Sequence, residues 1–451
     1  MIEIVAIETP ELGDRAYLAT DGVAAIVVDP QRDIDRVERV AAEHDVPITH
    51  VFETHIHNDY ITGGLALARS TGAAYYVNAD DRVSFERTPT VDGDRVDAGA
   101  MQIQVIGTPG HTYTHLAYAL SDKGHVLAVF TGGSLLNGST GRTDLLGAAH
   151  KLALTRAQFG SAHRLAAQLP GTAAVYPTHG FGSFCSATPT SGGGTTIADE
   201  LRVNPALTSS EADYVEQLLA GLDAYPAYYA HMGPANMAGP SGADLTPPRV
   251  ADPAELLRRI EIGEWVVDLR SRTAFAAGHL VGSLNFELDR NLATYLGWLI
   301  PWSTPLTLIG ETPASIAAAQ RDLCRIGIDR IEAAASGEPS VWAAGADLEQ
   351  FPTADFDELA RRADRGSLVL LDVRLSGEWR EGHIPGAVHI PLHELSARMR
   401  ELADGEIWVH CGSGYRAAIA ASLLAARGRH VVAVDDNFSE AATAGLPVVT
   451  D

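Results

Sequence analysis

Short apolar runs separated by polar, glycine-bearing turns recur along the chain, and their length predicts strands buried in α/β layers. Ile48–Phe52 and residues 101–106, 116–120, 126–130 and 173–175 are such runs, and Met1-Ile2-Glu3-Ile4-Val5 reads as a first strand. Residues 16–29 read as two strands around Asp21-Gly22, and Asp122-Lys123-Gly124 turns between 116–120 and 126–130. Apolar positions at helical spacing predict a helix over 33–43, with further helices over Gly64–Thr71 and 196–202, the last preceded by the run Ser191-Gly192-Gly193-Gly194. Pro, Gly and Ala crowd the stretch after Tyr225, and its later part, 234–248, reads as a linker.

Beyond that linker the pattern repeats. Val266-Val267-Asp268-Leu269-Arg270 followed by Gly278-His279 matches Leu370-Leu371-Asp372-Val373-Arg374 followed by Gly382-His383, at a constant offset of 104. Two copies of strand, charged turn and Gly-His pair imply two related α/β units. With 451 residues and about 150 residues per domain, the expected division is 1–240, 250–350 and 352–451.

Candidate chemistry clusters where apolar runs end. Ile48–Phe52 runs into Glu53-Thr54-His55-Ile56-His57-Asn58-Asp59-Tyr60. His55 and His57 are two apart in extended chain, so both imidazoles face one side, and Asp59 shares their parity. His111 follows the strand 101–106, and His179 follows 173–175. Neutral imidazoles with a nearby carboxylate suit zinc or iron(II).

These motifs, in this order over residues 1–240, resemble the metallo-β-lactamase superfamily, which implies a four-layer αββα fold with metal at one edge of two packed sheets. Two positions depart from the family: Tyr60 stands where a second His follows the Asp, and Gly133 stands where an Asp usually bridges metals. The resemblance then implies a mononuclear site of His55, His57 and His111 holding one Fe(II) or Zn per chain. Asp59, Asp144 and His179 are additional ligands or outer partners. Gly141-Arg142-Thr143-Asp144 is similar to a segment of the persulfide dioxygenase branch, where the arginine lies near the thiol cosubstrate; alternatively Arg142 and Asp144 pair with each other or cap the next helix. Tyr60 and Cys185 are further candidates for contact with substrate, Cys185 as a sulfur shuttle or as a small buried residue.

In the second copy, Ile407–His410 leads into Cys411-Gly412-Ser413-Gly414-Tyr415-Arg416 and an Ala-rich helix over 417–426. A loop closing onto a helix N-terminus aims N–H groups at its contents and favours an anionic sulfur. Arg416 adds a fixed cation, and the glycines admit close approach. Both copies resemble rhodanese domains, which implies three-layer α/β/α folds, Cys411 as sulfur carrier, and Asp372, Arg374, Glu378 and His383 as loop or fold supports. The first copy has Gly310-Glu311-Thr312-Pro313 at the loop and no thiol, so it reads as a spacer; Cys324 reads as core. Phosphatases use a similar loop, but four residues between Cys411 and Arg416 favour the smaller sulfur cradle.

Charge and cysteine usage narrow the class. A formal net charge of −24 argues against nucleic acid or an anionic membrane as partner. No apolar stretch approaches the ~20 residues of a membrane span, and three cysteines form no disulfide framework, which points to a reducing cytoplasm. An acidic multidomain enzyme of this size is expected to be a symmetric homo-oligomer. The architecture resembles bacterial persulfide dioxygenase–sulfurtransferase fusions, which implies oxidation of a low-molecular-weight thiol persulfide to sulfite and thiosulfate formation through a Cys411 persulfide. The alternatives are a zinc hydrolase of a thioester or lactone with an accessory sulfurtransferase, and a metal-poor scaffold that keeps only sulfur transfer.

Overall fold

In the computed structural model, which describes residues 1–187, 193–363 and 368–450, alternation along each strand sends neighbouring side chains into different cores. Ser191 and Gly192 of the predicted glycine run lie outside the described residues. By contacts the chain divides into Met1–Asp244 with Leu323–Gly327, and Leu245–Asp322 with Ile328–Asp451.

In the first unit, Glu3–Thr9, Asp14–Thr20, Ala25–Val28, Ile48–Phe52, Ala74–Asn78 and Thr88–Thr90 lie side by side in sequence order. Thr195–Thr196, Ala174–Pro177, His125–Gly132, Leu116–Asp122, Met101–Gly107 and Arg95–Ala98 form a second sheet in reverse order. Ala16, Leu18, Val27 and Val51 pack beneath the helices Asp35–Glu43 and Gly64–Thr71, while Tyr17, Ala19, Ile26, Val28 and Phe52 meet Ile103, Val105, Tyr118 and Phe130 between the sheets. On the far side Ala117, Ala119 and Val129 are covered by Ala162, Leu165 and Ile197 from helices. These three cores build the expected αββα layering, and they explain why the strands read as nearly unbroken apolar runs: both faces are covered.

The linker expected over 234–248 begins as helix instead. Pro234 falls inside the helix Tyr229–Ala238. Its Asn236 side chain donates to the carbonyls of His57 and Tyr60 at 2.9 Å each and accepts from the Thr62 N–H at 3.0 Å. A single amide thus ties the segment to the His-rich loop. The helix Lys151–Gln168 carries no signal that the apolar pattern caught.

The second unit holds two parallel sheets: Leu284–Asn285, Trp265–Asp268, Leu306–Gly310, Ile331–Ser336 in one lobe, and Thr353–Ala354, Val431–Val434, Ile407–His410, Val369–Asp372, Val388–His389 in the other. The sequence repeat is a structural one. Asp372 accepts from the Arg374 N–H and guanidinium at 2.7–3.1 Å, and Arg374 donates onward to the Gly382 carbonyl at 2.7 Å. Asp268, Arg270 and Gly278 repeat the bracket at 2.6–3.1 Å. His279 stacks on Phe275 and His383 on Trp379, each with centroids 3.8 Å apart. The bracket ties the end of the central strand to the turn before the next, so it sets where the following loop emerges. Among the described residues no helix is long and apolar enough to cross a membrane.

Asp372 and Arg374 are both buried, and truncating one partner of such a pair leaves the other uncompensated. Asp372→Ala is expected to lower stability by about 3 kcal/mol, read as a fall in the urea midpoint; an unchanged midpoint would show that the bracket is dispensable.

Candidate metal site and thiol site

Each strand end delivers one imidazole, and a hydrogen bond on one ring nitrogen fixes which lone pair is free. His111 Nδ1 lies 2.7 Å from the Arg142 carbonyl, an acceptor only, so Nδ1 carries the proton and Nε2 a lone pair. Thr54 Oγ1 gives its proton to Asp29 Oδ2 at 2.7 Å, so it accepts from His55 Nδ1 at 2.9 Å and frees His55 Nε2. His179 Nδ1 lies 2.9 Å from Asp14 Oδ1 and 3.1 Å from Asp59 Oδ2, and its Nε2 faces His55 Nε2 at 3.4 Å. Ligand atoms of His55, His111 and His179 all fall within 4.8 Å of one another. All three rings are buried, and His111 Nε2 has no hydrogen-bond partner.

This trio contains His55 and His111 of the expected set and adds His179, while the expected His57 ring lies 4.2 Å from that of His55. Its Nε2 contacts Glu53 Oε2 at 3.1 Å, Asp29 Oδ1 at 3.3 Å and the Tyr60 hydroxyl at 3.0 Å. Against burial, those carboxylates raise His57 to about 9. His57 falls in a second group with Asp59 and His179, and its Nδ1 has no hydrogen-bond partner. His179 belongs to both groups, so they form one divided site. Burial and neighbouring imidazoles push His55 well below its ordinary value, and burial takes His111 down to about 3. Against burial, Asp59 and Asp14 hold His179 well above its ordinary value, so a metal ion must displace a proton there.

The donor set fits a divalent transition metal: three oriented imidazoles, with room in the coordination sphere for substrate or water. Gly133 is not merely a missing carboxylate. A Cβ there would sit 2.6 Å from His111 Cγ and 3.0 Å from Nε2, so the ring fills the place a side chain would need.

The other candidates are largely engaged. Arg142 and Asp144 pair with each other, Nε to Oδ1 at 2.7 Å and Nη2 to Oδ2 at 2.9 Å, which takes Asp144 out of the ligand set. Arg142 also binds the Phe184 and Asp223 carbonyls and lies over the Tyr225 ring at 4.5 Å, so it braces the loop rather than a substrate. Tyr60 is wholly buried, donating to the Asp29 carbonyl at 3.2 Å. Cys185 is buried 3.9 Å from the Tyr229 hydroxyl. Burial, with Asp59 and Asp14 nearby, pushes its thiol well above the ordinary value, which opposes a shuttling thiolate. Sequence reasoning missed Asp14, Asp29, Glu53 and His115. His115 stacks on His55 at 4.9 Å and accepts from the Gly133 N–H at 3.0 Å; its place four residues after His111 was the available signal.

In the second unit, Cys411 stands where the strand Ile407–His410 turns into the helix Tyr415–Ala425, through Gly412, Ser413 and Gly414. Gly414 has φ +88°, and a Cβ there would overlap the Asp435 carboxylate, so the turn admits only glycine. The thiol residue lies at the end of the helix where free N–H groups concentrate positive partial charge. Arg416 is gripped by Glu378 through two bonds of 2.5 and 2.6 Å, and Glu378 also accepts from the Leu375 N–H at 2.9 Å. Against burial, Arg416 holds the Glu378 carboxyl below its ordinary value. Glu378 fixes the cation beside the loop and removes most of its net charge.

Residues 355–443 match the rhodanese-like domain family. The chain is 28% identical over 209 residues to the mitochondrial persulfide dioxygenase ETHE1 of Homo sapiens, covering 46% of this chain and 73% of that protein. It is 34% identical over 154 residues to a hydroxyacylglutathione hydrolase of Pseudomonas putida, covering 34% of this chain and only 56% of the relative. A metallo-β-lactamase structure from Staphylococcus aureus superposes with a TM-score of 0.67 at 25% identity, covering 75% of this chain and 99% of that one.

If the trio rather than the H-x-H pair holds the ion, His111→Ala and His179→Ala should each lower metal retained after dialysis by at least roughly tenfold, and His57→Ala by less. Equal losses at His57 would contradict the assignment. Gly133→Asp supplies the family's carboxylate but collides with His111, so retained metal should fall; a rise would show that the ring yields.

Proposed function

The chain is a metallo-β-lactamase-fold unit joined to a C-terminal rhodanese domain, and on that footing we propose that it oxidises a low-molecular-weight thiol persulfide to sulfite and moves sulfane sulfur through Cys411. We read residues 250–350 as a second rhodanese-like domain that lacks the catalytic cysteine. The observation that carries the reading is the Cys411 turn: a thiol at a helix N-terminus, beside an arginine fixed by Glu378. The likeness to persulfide dioxygenase gives the first unit a substrate with the same sulfur chemistry.

The transfer balances without a further reagent. The Cys411 thiolate attacks the outer sulfur of a persulfide, the S–S bond breaks, and the carrier thiol leaves with its electron pair. Sulfite then attacks the terminal sulfur of the Cys411 persulfide, releasing thiosulfate and the free thiolate. In the first unit, persulfide, dioxygen and water yield thiol, sulfite and protons. A metal held by His55, His111 and His179 would supply dioxygen activation if iron, or water activation if zinc. The chain's own part is orientation: the Arg142 carbonyl and Thr54 hold His111 and His55 in the tautomer that leaves Nε2 open, and Asp14 holds His179 through Nδ1, so that its Nε2 proton is the one to be displaced.

A hydrolase of a thioester is the second reading, favoured by the likeness to hydroxyacylglutathione hydrolase and by an all-nitrogen set that suits zinc. Metal analysis of protein purified without air, with oxygen uptake on adding glutathione persulfide, separates the two. Iron with uptake supports dioxygenation, zinc with thioester cleavage supports hydrolysis, and absence of metal leaves only sulfur transfer. Cys411→Ser is expected to abolish thiosulfate formation, with sulfite accumulating in its place; thiosulfate produced at the normal rate would remove Cys411 from the reaction.

A further inference from the structure

The loop that carries Cys411 is braced from the first lobe of the second unit. Gly412 and Gly414 give that loop a freedom that its surroundings must remove. Part of the restraint is local: the Phe438 N–H donates to the Gly412 carbonyl at 3.1 Å, and the Asp435 carboxylate fills the place of a Gly414 side chain. The rest comes from the sister lobe. Arg272 opens the helix Arg272–Ala277, just past the Asp268–Arg270 bracket. Its Nε donates to Asp435 Oδ1 at 2.6 Å and its Nη1 to Glu287 Oε2 at 2.8 Å. Tyr415, the loop residue before Arg416, donates its hydroxyl to the Glu287 carbonyl at 3.0 Å. At the offset of 104 the second copy has Ser376 in place of Arg272, so this cation belongs to the first lobe alone.

We propose that Arg272 is a positioning residue for Cys411, acting through Asp435: it holds that carboxylate against the loop and offsets its charge, so that an anionic sulfur is tolerated there. This rests on the reading of Cys411 as a sulfur carrier. Charges around the loop fall into two sets, Arg416 with Glu378 and Arg272 with Asp435 and Glu287. Burial takes His410, the residue before the thiol, down to about 4 and raises the Tyr295 and Tyr415 phenols, so all three are neutral near pH 7. Without Arg272, the Asp435 carboxylate would face Gly414 uncompensated and oppose the negative sulfur that the loop N–H groups favour.

The test uses the full chain with thiosulfate as sulfur donor and cyanide as acceptor. Thiosulfate passes its outer sulfur to the Cys411 thiolate and leaves as sulfite; cyanide takes that sulfur as thiocyanate and returns the thiolate. Arg272→Ala should lower kcat/KM for thiosulfate by about tenfold. It should also move the pH profile of Cys411 alkylation by iodoacetamide upward by about one pH unit. Arg272→Gln, close in length but uncharged, should move it as far. Adding Asp435→Asn to either variant removes the uncompensated charge at nearly constant size and should return the profile to its wild-type position. An unmoved profile in the Arg272 variants overturns the proposal, and so does a shift that Asp435→Asn leaves in place, which is what a merely structural brace would give. The Arg272 side chain is 31% exposed, so its ion pairs add little to stability. Buried Cys185 and Cys324 report a folded variant by staying unlabelled. Should wild-type protein transfer no sulfur, the sulfur-carrier reading falls, and the alkylation profiles alone decide the role of Arg272.

Discussion

The buried carboxylate of Asp29 is the constraint on which the metal unit depends. It sits at the end of a core strand with φ +51°, a strained setting for a residue with a side chain. In exchange it accepts from the Thr54 N–H and hydroxyl at 2.7 Å each and from the Thr178 hydroxyl, and it lies beside His57. Against burial, His57 and these donors hold it below its ordinary value, so it stays charged in a dry interior. One group thereby joins the ends of three strands and, through Thr54, sets the tautomer of His55. Two of the three imidazoles, His55 and His179, thus follow strand ends bound to a common anion.

The second unit solves a different problem with a repeated device. The Asp268–Arg270 and Asp372–Arg374 brackets hold the same turn in both lobes. Only one lobe uses the frame to present a thiol. The other meets it through Tyr295 and Trp298, whose rings lie against Tyr415 and His393.

Much of this was legible in the sequence, and the reasons differ by feature. Strands such as Ile48–Phe52, the repeat at an offset of 104 and the Cys411 turn are local patterns, set by side-chain period and turn chemistry. The motifs also singled out His55, His57, His111 and His179, which the fold brings together. Their division between sites was not legible, because it turns on Asp14, Asp29 and Glu53, carboxylates distant in sequence or unremarkable in context that become partners only after the sheets pack. The helical start of the expected linker depended likewise on Asn236 finding the His57 and Tyr60 carbonyls across the fold. Proline and glycine content signals a break only where nothing tertiary overrides it.

On the proposed sulfur-carrier reading of Cys411, the grip of Glu378 on Arg416 bears on how readily the sulfur is let go. A bare guanidinium beside the loop would deepen the resting state of the loaded sulfur as much as it helps the departing one, and attraction felt equally at rest and at the summit of the barrier does not speed a reaction. On the proposed reading, the cation with its charge mostly answered would orient an incoming anion without holding it fast, which would keep loading and discharge balanced over repeated cycles.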